Sequence, residues 1–123
     1  MIPLESIDHV QITVAPGDVD ATLAFYERVV GLARIPKSNT RPGGWFQLGK
    51  SQLHVGVEKI EREANLASKR HVCFVVTDPG AAELAFREAG VEILADPEPA
   101  PSWKRFYVRD PGGNRVEVAA RQA

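Results

Sequence analysis

The sequence predicts an α+β fold built as two βαβββ modules in a single chain. Three observations carry that prediction. Two strand-like runs open alike, "HVQITV" from His9 and "HVCFVV" from His71. Each leads into a turn and then a helical stretch that carries Ala-Phe near a Glu and ends at a Gly. Each half then closes on an alternating hairpin, "WFQLGKSQLHVGV" at 45–57 and "RFYVRDPGGNRVEV" at 105–118.

Taken in order, module one spans residues 1–58. Its first strand alternates around Val10, Ile12 and Val14. Asp18 is placed to cap the following helix, whose apolar face holds Val19, Leu23, Tyr26 and Val30, and Gly31 ends it. "LARIPKS" supplies a short strand before the hairpin. A charged linker at 59–69, "KIEREANLASK", has room for one helical turn. Module two, 70–123, repeats the plan. Asp78 caps, Pro79 suits the first turn, Ala82, Ala85, Phe86 and Ala89 form the stripe, and Gly90 closes it. "VEILAD" gives its short strand, and "DPGGN" the tight turn of its hairpin. Two Pro-containing loops, 36–44 and 95–103, are expected to flank a cleft.

The 123 residues are 44% hydrophobic and 25% charged, with a net charge of −1. That balance fills a core and gives no basic footprint for nucleic acid. No stretch is apolar enough to span a membrane, and the N-terminus "MIPLESIDHV" does not read as a secretion signal. The single Cys73 leaves no intrachain disulfide, so the cytoplasm is the expected compartment.

Strand parity sorts the side chains. The apolar set Val10, Ile12, Val14, Leu53, Val55, Val57, Val72, Phe74, Val76, Val116 and Val118 faces the helices, joined by Phe46, Leu48, Phe106 and Val108. The opposite face then carries His9, His54, His71 and Glu117, from repeat-equivalent strands. All three histidines of the chain fall there. Three imidazoles and a carboxylate are a sensible donor set for zinc, nickel, cobalt, manganese or iron. The same face holds Gln11, Thr13, Trp45, Gln47, Cys73, Arg105, Tyr107 and Arg115, the expected walls of a substrate pocket.

These stretches resemble the vicinal oxygen chelate superfamily, which includes glyoxalase I, fosfomycin and bleomycin resistance proteins, methylmalonyl-CoA epimerase and extradiol dioxygenases. "DHVQITV", "FYERVVGL", "RHVCFVV" and "YVRDPGGNRVE" carry the resemblance, which covers nearly the whole chain. It implies a curved mixed sheet around a metal-bearing cleft, and a homodimer in which modules of different chains complete each cleft. His9, His71 and Glu117 match the family's ligand positions. His54 stands where relatives place Glu or Gln, as a fourth ligand or a group beside the metal.

The expected chemistry is glyoxalase-like lyase or isomerase action on a small substrate that chelates a divalent metal through oxygen, with Glu117 moving the proton and Tyr107 assisting. Iron-dependent extradiol dioxygenation is the second reading. Bleomycin-resistance-like ligand binding without catalysis is the third.

Overall fold

A computed structural model of the chain describes residues 1–122. Each half has the expected order. The first holds β1 (His9–Val14), α1 (Val19–Ala24), β2 (Ala33–Ile35), β3 (Gly43–Leu48) and β4 (Ser51–Val57). After the linker helix α2 (Arg62–Ala67), the second holds β5 (His71–Val75), α3 (Pro79–Glu88), β6 (Leu94–Ala95), β7 (Trp103–Arg109) and β8 (Arg115–Arg121). The strands form two four-stranded mixed sheets, ordered β1-β4-β3-β2 and β5-β8-β7-β6. In both, the first strand lies parallel to the last at the sheet edge, and the remaining pairs are antiparallel.

Local chemistry accounts for most element ends. Asp78 Oδ1 accepts from the Ala81 N–H at 3.0 Å, a true N-cap, with Pro79 behind it. Gly31 and Gly90 take φ of +86° and +77°, the left-handed turn that releases the chain from each helix. Asp18 departs from expectation. Its side chain makes no cap; its carbonyl instead accepts from the Thr22 hydroxyl at 2.8 Å, after a 3₁₀ turn at Pro16–Asp18.

The first helix also changes pitch. Phe25–Val30 forms a π turn. A wider turn rotates consecutive residues less, so Phe25 and Tyr26 both point inward, at 5% and 1% exposure. Phe25 stacks on Phe86 of α3 with centroids 6.1 Å apart, and Phe86 meets Phe106 edge-on. One core cluster therefore runs from Phe46, Leu53 and Val55 through Val14 and Phe25 to Val108, Val116 and Val118. The apolar strand faces fall into this core as parity predicts, except at Val57, half-buried and outside the cluster, and at one end of the first sheet. Val10 and Leu48 stay 42% and 52% exposed there.

Polar groups join the halves beside this core. The Tyr26 hydroxyl donates to Asp110 Oδ2 at 2.7 Å, and Asp110 Oδ1 accepts from the Asn114 N–H at 2.8 Å. Burial pushes the Asp110 carboxyl upward against these bonds. The Thr13 carbonyl of β1 accepts from both the Asn65 and Asn114 amides, each at 3.1 Å. Asn65 also reaches the Gly112 carbonyl at 3.0 Å.

Gly112 sits against Val14 with no room to spare. A Cβ at Gly112 would lie 2.1 Å from Val14 Cγ1 and 3.3 Å from Thr22 Oγ1. We expect Gly112→Ala to lower the urea unfolding free energy by about 1–3 kcal/mol. Gly17→Ala, where a Cβ would meet nothing within 4 Å, should stay within about 0.5 kcal/mol of the parent.

Candidate functional site

The register of the two sheets superposes the candidate residues pairwise. In the first, Gln11 and Trp45 lie opposite His54; in the second, Cys73 and Tyr107 lie opposite Glu117. Each sheet thus gathers one group of candidate residues on the face turned away from the helices.

The first half is a column of rings. His54 lies between His9 and Trp45, with centroids 4.1 Å and 4.0 Å away and planes tilted by 13° and 3°. His9 Nδ1 is 2.8 Å from Asp8 Oδ2, and His54 Nε2 is 2.8 Å from Gln52 Oε1. His54 is buried, and that burial, followed by the neighbouring His9, pushes its pKa down against a smaller opposing pull from Asp8. It therefore stands as a neutral imidazole at pH 7.

The second half is an ion cluster. His71 Nε2 lies 3.4 Å from Glu117 Oε1, while His71 Nδ1 lies 2.8 Å from the Lys69 carbonyl. Arg105 Nη1 approaches Glu117 at 3.9 Å, and its Nε donates to Asp96 at 2.7 Å. Burial pushes the Glu117 carboxyl up, but the Cys73 thiol, the Tyr107 hydroxyl, His71 and Arg105 outweigh it and hold the group below its ordinary value. Tyr107 is pushed up by burial and by Glu117, and the Arg115 guanidinium lies 3.9 Å over its ring. Desolvation and the Glu117 carboxylate push the Cys73 thiol up to about 12.

The donor chemistry fits a divalent ion. The Nδ1 atoms of His9 and His71 both face oxygen acceptors, which fixes each ring and leaves Nε2 as the donor. Glu117 adds an ionised oxygen beside His71. The donors come as two pairs, however. Among the described residues, no group of three or more His, Cys, Asp or Glu side chains is placed to hold a metal ion. His54 carries a further constraint. A ligated ion lies in the plane of its imidazole, about 2 Å from the nitrogen. The nearly parallel rings of His9 and His54 share no such position, so His54 can join His9 on one ion only after a ring rotates.

Two cavities adjoin these pairs. One, of about 370 Å³, is lined by His9, Gln11, Trp45 and His54 together with Lys37 and Arg41 of loop 36–44. The other, of about 270 Å³, runs between the two modules beside Gln11, Thr13, His71 and Arg115. Gln47 lines neither and donates to the Gly49 and Ser51 carbonyls of its own hairpin. Sequence reasoning missed Asp8, Gln52 and the Lys69 carbonyl as ring-orienting partners. Parity alone places Gln52 beside His54; nothing in the pattern singles out Asp8 or Lys69.

The thiol makes a direct test of this electrostatic picture. In metal-free native protein at pH 8, Cys73 should react with a disulfide reagent at least about a hundredfold more slowly than in urea, despite being exposed. The rate should climb with pH well past 9. Rapid labelling at pH 8 would contradict the placement of Glu117 beside the thiol.

Comparison with known proteins agrees with this architecture. Virulence protein STM3117 of Salmonella typhimurium is 27% identical over 123 residues, covering 94% of this chain and 84% of that protein. A crystal structure from Bacillus anthracis, of a protein assigned to the glyoxalase family, matches with a TM-score of 0.87 and 33% identity over 99% of both chains. A lactoylglutathione lyase from Agrobacterium tumefaciens shares the fold, with a TM-score of 0.71 and 22% identity over 96% of this chain and 95% of that one. The model of the Glyoxalase/Bleomycin resistance protein/Dioxygenase superfamily matches residues 6–118, from just before β1 to the strand that carries Glu117. The chain belongs to that superfamily.

Proposed function

We propose that the protein is a metal-dependent lyase or isomerase with glyoxalase-like chemistry, acting on a small substrate through neighbouring oxygen atoms. The observation that carries this reading is the His71–Glu117 pair, 3.4 Å apart and with the second ring nitrogen of His71 facing a carbonyl. That is a two-donor edge of a coordination sphere. His9, oriented by Asp8, supplies the next donor. Because the pairs lie on separate sheets, the site is completed by a second copy of the chain, module one of each facing module two of the other. The resulting homodimer holds two equivalent sites.

A divalent ion bound there would polarise the substrate oxygens and favour loss of a proton from the adjacent carbon. The chain's own groups do the rest. Glu117 accepts that proton. Its lowered pKa makes it a weak base, suited to a carbon acid already activated by charge. Tyr107, beside Glu117 and covered by Arg115, orients the carboxylate and holds its proton in the neutral phenol. Arg105, anchored by Asp96, keeps a positive charge next to Glu117 in both protonation states. His54, neutral and stacked, forms the wall of the pocket.

A second reading, ligand binding without catalysis, is favoured by one observation. The flat Trp45–His54–His9 column is a ready surface for a planar ligand. Metal analysis separates the two. Protein purified without chelator should carry one divalent ion per chain, lost in His71→Ala and in Glu117→Ala. A 1:1 mixture of His9→Ala and Glu117→Ala chains, unfolded and refolded together, should recover about one quarter of the sites, since half the dimers are mixed and each has one intact site. No metal in the parent protein would sink the enzyme reading. Full loss with no recovery on mixing would sink the shared site.

A further inference from the structure

Loop 36–44 holds two cations that no carboxylate answers. Lys37 is half-buried, its ammonium 5.8 Å from the Trp45 ring centroid and hydrogen-bonded to Asn39 Oδ1. The same oxygen accepts from the Arg41 backbone N–H at 3.1 Å, so Asn39 ties the Lys37 ammonium to the Arg41 main chain, while the Arg41 side chain itself is exposed. Lys37 and Arg41 line the 370 Å³ cavity with His9, Trp45 and His54. No Asp or Glu lines it, and the carboxylate that touches a lining side chain, Asp8, is bonded to His9. Among the described residues, neither Lys37 nor Arg41 forms an ion pair, as is true of most lysines and arginines of the chain; what sets these two apart is that they share one cavity with His9 and His54.

Two positive charges in one concave pocket, one of them half-buried and held by a neighbouring side chain, favour the binding of an anion there. The cavity these groups share also holds the His9 ring. Its contents are within reach of whatever His9 holds.

We propose that Lys37, held by Asn39, and the exposed Arg41 beside it form an anion subsite for a carboxylate, phosphate or phosphonate borne by the substrate. The ligand therefore has two poles: oxygens presented towards His9, His71 and Glu117, and a separate anionic group on loop 36–44. This rests on the reading of the His9 face as a substrate site.

The test uses the full chain with Trp103→Phe, which leaves Trp45 as the remaining tryptophan, dialysed free of metal so that phosphate has no ion to bind. Inorganic phosphate and acetate are titrated in parallel against chloride at matched ionic strength, reading Trp45 emission. Saturable binding of either anion is expected, weakened at least about tenfold by Lys37→Ala and by Arg41→Ala, and unchanged by Lys50→Ala on the exposed β3–β4 turn. If Trp103→Phe does not fold, thermal stabilisation of the wild-type chain by the same anions is the readout, with the same variants. No saturable response, or equal binding by all variants, overturns the subsite. Metal binding measured separately distinguishes the failures: metal without anion removes the loop assignment alone, and neither removes the functional reading with it.

Discussion

The carbonyl of Thr13 is the point on which the arrangement of the two halves turns. It belongs to an edge strand, where a backbone acceptor has no ladder partner on one side. Two amides from elsewhere in the chain fill it: Asn65 from the linker helix and Asn114 from the β7–β8 turn. Asn114 also binds Asp110, which holds Tyr26 of the first module. An unmet buried carbonyl or carboxylate costs about 1–3 kcal/mol, so each link makes the others worth keeping. The apolar contact of Val14 on Gly112 lies beside them, and the two first strands, which carry His9 and His71, are fixed in relation to each other as a consequence.

That fixation leaves one chain with two groups of candidate residues, one on each sheet. Repeat-equivalent registers place Gln11, His54 and Trp45 in one sheet where Cys73, Glu117 and Tyr107 stand in the other. The environments then diverge. Rings fill the first half and keep His54 neutral, while charges fill the second and keep Glu117 ionised. One scaffold thus yields a flat, ring-lined surface in one module and a charged one in the other.

Much of this was legible in the chain. Alternation in "HVQITV" and "HVCFVV" gives the strands, their edges and which side chains share a face, because a period of two leaves no choice once the helices take the apolar side. Asp78 and Pro79 announce α3. Asp18 misled, because its cap competes with a 3₁₀ turn and loses. The π turn left no mark in the pattern, since the apolar run "FYERVV" fits a regular helix equally well. The pairing of donors, two and two, was also beyond reach. Parity fixes the face of a residue in its own sheet; how two sheets face each other depends on the packing of Phe25 on Phe86 and on the amide links, all of long sequence separation.

Each half-site lies wholly within one module, and this bears on how such a protein changes over evolutionary time. A substitution in loop 36–44 or in the ring column leaves every residue that touches Glu117 in place. The reverse holds for β5, β7 and β8. What the halves share is the buried core, so they are coupled through stability and separate in chemistry. Change can therefore proceed one half at a time: loop 36–44 and the ring column can vary while the groups around Glu117 stay as they are.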